Sequence, residues 1–158
     1  MKGSVIMSLI DESLFETLHL DPEEVSWAPM SPGMEQRIIH ARPDEGFLVN
    51  VVRAQPGVIS VLHRHLGPGH GYTISGKWGH DPKCEYLPGH YIFETPGVPH
   101  RFYNGTGVTE LIFVNHGPLE VLDQETGDVT ALMTQESMIE GYFTACESAG
   151  LPRPNILT

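Results

Sequence analysis

Cysteine is nearly absent from this chain. Cys84 and Cys146 are the two among 158 residues, and they stand far apart without CxxC spacing. That excludes a disulfide framework and a thiolate zinc site. Basic residues are scarce as well: 9 Lys and Arg against 20 Asp and Glu leave a formal charge of −11. Phosphate backbones and anionic membrane surfaces both require clustered positive charge, so neither nucleic acid nor a membrane is an expected partner. No apolar run reaches the roughly 20 residues of a membrane span. The opening "MKGSVIMSLI" is too short and too weakly apolar for a secretory signal. A cytoplasmic location is expected.

What the chain has instead is punctuation. Its 17 glycines and 13 prolines leave little room for long helices. From Gly46 onward, strand-like runs recur between Gly and Pro turns: "FLVNVVRA", "VISVLHRH", "GYTISGKWG", "HYIFETPG", "HRFYNGTG" and "TELIFVNHG". "EVLDQETGDVTAL" reads as a hairpin turning at "TGD". This is the pattern of an all-β sandwich or barrel.

One domain is expected, with an arm over residues 1–42, a barrel over 43–133, and a helix with its tail over 134–158. The arm contains a short amphipathic stretch with Leu14, Phe15, Leu18 and Leu20 on one side. It also holds Trp27 as a core anchor, and leads into a first strand near Gln36–Ala41. At the other end, Thr134 is placed to cap a helix that Gly150 and Pro152 would stop. That helix is expected to cap the barrel or pack on a second subunit.

The chemistry concentrates in "SVLHRHLGPGH", which sets three histidines within eight positions. Side chains alternate along a strand, so Ile59, Val61, His63 and His65 share one face, here taken as the inner one. Two neighbouring buried imidazoles cannot both stay charged, and neutral imidazole is a good metal ligand. A lone HxH pair is weak evidence of a metal site, since two hydrogen-bonded histidines are the commoner outcome. The second segment, "GHYIFETPGVPHRFYN", presents His100 just after a Pro-Gly turn, where it can converge with the pair.

These two segments resemble the paired motifs of the cupin superfamily. Gly57 precedes His63 by the motif's interval, His65 completes the pair, and Gly89, Pro96, Gly97, His100 and Asn104 fit the second motif with one shift, Pro96 and Gly97 being adjacent rather than separated. The resemblance implies a double-stranded β-helix, or jelly-roll barrel, with His63, His65 and His100 holding a metal ion. More narrowly, the "HxHxGPG" stretch and the "GPL" hairpin are similar to the ChrR-like cupins. Among these, the small C–C-cleaving dioxygenases use three histidines and non-haem Fe(II). That resemblance implies Fe(II) as the cofactor, with Zn, Ni or Mn as alternatives, and a small diketone or hydroxyketone and O2 as substrates. Three neutral imidazoles would leave the ion's full charge to stabilise a two-oxygen enolate. The alternatives are a redox-neutral isomerase or hydrolase, and a non-catalytic ChrR-like sensor.

Two further residues enter as candidate catalytic groups. His70 occupies the place where the first motif usually has glutamate, and three roles stand open for it: a fourth ligand, an outer-shell group, or a pocket residue. Glu94 matches a glutamate of the acetylacetone-cleaving relatives, where it would take a substrate proton or hold a ligand imidazole; an outward strand carboxylate is an equal alternative. His80, His90 and His116 have no second partner at ligand spacing and read as surface or structural. Tyr72, Trp78, Phe93, Phe102 and Phe113 are pocket-lining candidates, and Asn104 is expected to make a turn contact. A homodimer or homotetramer is expected from the exposed edges of so small a barrel.

Overall fold

The punctuated pattern becomes a set of short antiparallel strands in a computed structural model that describes residues 19–156. A six-stranded sheet runs in the order β1 (Ala28–Ser31), β2 (Met34–Arg42), β3 (Phe47–Ala54), β9 (Thr109–His116), β5 (Gly69–Ser75) and β7 (Tyr91–Glu94). A three-stranded sheet comprises β11 (Val129–Met133), β10 (Leu119–Leu122) and β4 (His63–His65), and a two-stranded one comprises β6 (Trp78–Gly79) and β8 (Tyr103–Asn104). Among the described residues the fold is all-β apart from 3-10 turns and one C-terminal helix, α1 (Gln135–Ser148). None of its described helices is long and apolar enough to cross a membrane.

Alternation fixes which face of the large sheet is internal. On β7 Ile92 and Glu94 are buried while Tyr91 and Phe93 are exposed; on β5 Gly69, Gly71 and Thr73 are buried while Tyr72 and Ile74 are exposed. Two apolar clusters fill the interior. One joins Met34, Val52, Ala54, Ile92 and Leu111 to Trp78 of β6 and to Phe102, which immediately precedes β8. The other joins Ile38, Ala41 and Leu48 to Tyr142 and Cys146 of α1. Between them lies a polar band of Gln36, Asn50, Asn115 and Glu94, all on the same inner face.

The helix forms as its sequence signals require. Thr134 accepts a hydrogen bond from Ser137 N at 3.2 Å, and Gly150 takes the left-handed conformation just past the end. Tyr142 Oη donates to Ser26 O at 2.6 Å, pinning the helix across β1 and β2 of the same chain.

Three expectations change. Trp27 is half-buried rather than a core anchor, because the guanidinium groups of Arg37 and Arg53 stack on its ring at 4.4 and 3.9 Å. β1 and β2 belong to the main sheet, so strand structure begins earlier than Gln36. Ile59 and Val61 are 56% and 59% exposed, because the strand holding them pairs as a ladder only over His63–His65. Of the amphipathic arm residues, Leu14, Phe15 and Leu18 lie outside the described residues, while Leu20 packs on the helix-side cluster.

Candidate metal centre

His63 and His65 leave β4 on the same side, and His100 reaches them from the neighbouring segment. His63 N donates to His100 O at 3.1 Å and His100 N returns a bond to His63 O at 2.8 Å. The two histidines therefore sit directly opposite one another. In each ring Nδ1 donates to the carbonyl two residues earlier: His63 to Val61 O and His100 to Val98 O, both at 3.0 Å. That fixes the tautomer and leaves both Nε2 atoms as free lone pairs. Ring nitrogens of His63, His65 and His100 all lie within 4.8 Å of one another. The structure brings the three expected ligands together.

Glu94 joins them from β7. Its Oε2 is 3.1 Å from His65 Nε2, without the alignment of a hydrogen bond, and its Oε1 is 3.4 Å from His100 Nε2. His80 donates Nε2–H to Glu94 Oε1 at 2.9 Å, and its ring lies 4.6 Å from that of His100. With this donor assignment His80 Nδ1 accepts from Tyr86 Oη at 3.3 Å. His80, Glu94 and His100 thus form a second group of mutually close ligand atoms, sharing His100 with the first.

Burial sets the charge states. It pushes the His63 imidazole down to about 4, helped by His100 and His65 beside it, and lowers His100 as well. For Glu94 burial acts in the opposite sense, but the His65 imidazole 3.1 Å away and the hydrogen bond from His80 outweigh it and hold the carboxyl well below the usual range. Neutral imidazoles around one ionised carboxylate are the state that binds a divalent ion. His100 Nε2 and Glu94 Oε2 are both buried without a hydrogen-bond partner, and an ion between them would satisfy both. The residues present fit a divalent metal.

His70 is not part of this group. On β5 it alternates with Gly69 and Gly71, which face inward, so its ring lies on the outer face and bonds Tyr91 Oη through Nδ1 at 2.8 Å. Among the described residues it enters neither group of metal-ligand atoms. His80, read as surface or structural, is the residue the sequence reading missed. Its signal was parity: Trp78 is fully buried, and two residues on His80 follows it to the same side, with the rings 5.4 Å apart. Trp78 and Phe102 are core packing and Tyr72 faces outward. Asn104 makes the expected turn contact, its Nδ2 within 2.7–3.1 Å of the carbonyls of Ala54, Gln55 and Gly107.

The surroundings are small and partly apolar. Register places Leu119 and Val121 of β10, and Met133 and Ala131 of β11, on the same side as His65 and His63. A pocket of about 290 Å³ lined by His80, Phe93, Glu94, Thr95, Val98, Pro99 and His100 gives access to the centre. That volume suits a small molecule. A larger groove of about 600 Å³ runs past Lys77, Lys83 and Cys84 and holds none of the ligands.

Comparison with known proteins agrees with this architecture. An RmlC-like cupin from Ralstonia eutropha superposes with a TM-score of 0.78 over 90% of this chain and 95% of its own, at 20% identity. An acetylacetone dioxygenase from Acinetobacter johnsonii gives 0.70 over 82% and 92%, at 18% identity. A putative acetylacetone dioxygenase from Methylibium petroleiphilum gives 0.71 over 80% and 94%, at 20% identity. At such identities the likeness is one of fold. No curated protein sequence matches. Residues 16–120 match the ChrR cupin-like domain, and with the jelly-roll sheets and the histidine pair in place, the chain belongs to that cupin family.

Proposed function

We propose that this protein is an Fe(II)-dependent dioxygenase that cleaves a carbon–carbon bond of a small diketone or hydroxyketone. The observation that carries the reading is the centre's composition: three imidazoles whose ring nitrogens converge within 4.8 Å, and one unpartnered carboxylate oxygen beside them. The fold likeness to proteins named acetylacetone dioxygenases supports it. His63, His65 and His100 would hold the ion, which supplies Lewis acidity toward the substrate carbonyl and electron exchange with O2.

The chain's own residues do the rest. Val61 and Val98 carbonyls keep the ligand rings turned inward. Glu94 Oε2 stands ready to take the proton from the carbon beside the carbonyl, while His80 holds Oε1 in place. Leu119 and Val121, half-buried on the same side as His65 and His63, would limit water at the reacting carbon. Both atoms of O2 end in the fragments: a β-diketone gives an acid and an oxoaldehyde, and an α-hydroxyketone gives two acids.

Oxygen uptake after anaerobic Fe(II) loading tests this, with a panel of β-diketones and hydroxyacetophenones and a Zn(II)-loaded control. Iron-dependent uptake matched by acid release is expected. A folded, fully loaded protein that consumes no oxygen with any member would overturn the reading.

A further inference from the structure

Asn115 carries a polar atom that the fold leaves without a partner. The residue is 9% exposed on β9, and its Oδ1 is buried with no hydrogen bond. Its amide nitrogen is committed elsewhere. Asn115 Nδ2 donates to Asn50 Oδ1 at 3.4 Å, and Asn50 Nδ2 donates to Gln36 Oε1 at 2.9 Å. The row of amides thus directs its donors away from the metal centre and leaves an acceptor at the end nearest to it. An unsatisfied buried acceptor costs about 1–3 kcal/mol, so the atom calls for a donor.

Gly69 shows where that donor would come from. A Cβ at Gly69 would stand 2.9 Å from Glu94 Oε2 and 3.6 Å from Asn115 Oδ1. That Cβ would collide with the carboxylate, so the glycine is what lets both unpartnered oxygens close in on the same point of the inner face. Glu94 Oε2 in turn lies 3.1 Å from Nε2 of the candidate ligand His65.

We infer that Asn115 reads a hydroxyl group on the substrate, with its Oδ1 accepting the O–H while Glu94 Oε2 faces the C–H of the same carbon. This rests on the ketone reading above and narrows it. An α-hydroxyketone carries both groups on the carbon next to its carbonyl. A β-diketonate carries oxygen acceptors and no O–H, so Asn115 Oδ1 stays unsatisfied against it. Sites built to bond a substrate hydroxyl discriminate strongly against analogues that lack it.

The test is binding, measured by calorimetry on Zn(II)-loaded protein so that no turnover intervenes. The probes are 2-hydroxyacetophenone with its hydroxyl on the side-chain carbon, the methyl ether of that hydroxyl, and acetylacetone. In the unaltered protein the hydroxyketone should bind at least about 10-fold more tightly than the ether. Asn115→Leu should close that gap by weakening the hydroxyketone alone, with zinc content unchanged. Asn115→Ala gives the same readout should the leucine variant fail to fold. Equal binding of hydroxyketone and ether, or a gap that survives both substitutions, overturns the assignment of Asn115 while leaving the ketone reading intact. Binding of none of the three probes overturns both.

Discussion

His63 and His100 face each other across a single antiparallel bridge and are oriented by the same device, an Nδ1–H bond to the carbonyl two residues earlier. The pairing makes the two rings interdependent, since each backbone holds the other at its station. His63→Ala or His100→Ala is expected to abolish stoichiometric metal retention after dialysis, measured by elemental analysis. His70→Ala is expected to leave it unchanged, because that ring lies on the outer face. Metal loss in the His70 variant would return that residue to the centre.

His80 acts through Glu94. Without it, Glu94 Oε1 loses the 2.9 Å bond that helps keep the carboxylate ionised. His80→Ala should therefore raise the Glu94 carboxyl and move the acid limb of the activity profile to higher pH. Activity should fall by roughly 10–100-fold, the usual effect of losing an outer hydrogen-bond partner at a metal site. An unchanged pH profile would show that His80 is merely packed against the site.

Acid sensitivity of the metal-free protein follows from the same burial. The His63 imidazole is pushed down to about 4 from an ordinary value of 6.5. The unfolded chain thus binds the proton first as pH falls. Stability is fully present above about 6.5 and declines as pH drops toward 4, by roughly 1.4 kcal/mol per pH unit at most for this one group. Glu94, also depressed, adds loss in the same direction below the ordinary carboxylate range. Urea midpoints of the metal-free protein should fall between pH 7 and 4.5, and fall less in His63→Gln. A flat dependence would mean that the ring is solvated.

The convergence of the three candidate histidines was legible because His63 and His65 stand two apart on one strand and a Pro-Gly turn brings His100 opposite them. It misplaced His70 because a motif offset does not encode the pleat: on β5 the inward positions are Gly69, Gly71 and Thr73. It missed His80 because the partner that matters, Glu94, is 14 residues away and meets it only through the fold. The amide band was half legible. Asn50 interrupts "FLVNVVRA" on the same face as Leu48 and Val52, yet its continuation through Gln36 and Asn115 depends on strand order that no single run reveals.

Gly67 is required for space. A Cβ there would collide with the His116 carbonyl, while the flanking backbone is tied down by Leu66 N to Pro118 O at 2.9 Å and His116 N to Pro68 O at 3.1 Å. Neither chain can yield without breaking a bond. Gly67→Ala is expected to cost roughly 2–4 kcal/mol in urea unfolding and to loosen metal binding through His65, two residues earlier. A loss below about 0.5 kcal/mol would show that the loop can move aside.

The outer face of the six-stranded sheet should be where two copies meet. Rings of His40, Phe47, His116, His70 and Phe93 follow one another across five strands at centroid separations of 5.2, 5.3, 6.0 and 5.4 Å. Beside them Tyr72, Ile74 and Tyr91 are exposed, Tyr91 by 63%. Ion pairs frame this stretch at both ends, Arg53 with Glu110 at 2.8 Å at one and Arg42, opposite Phe47, with Asp44 and Glu45 at 3.2 and 3.0 Å at the other. An apolar face whose bordering charges are already paired can pack against its own copy about a two-fold axis with little like-charge penalty. A homodimer is expected in light scattering at micromolar concentration. Tyr72→Glu combined with Phe93→Arg should give a monomer that keeps its metal content. An unaltered protein that stays monomeric at that concentration would leave this face to some other partner.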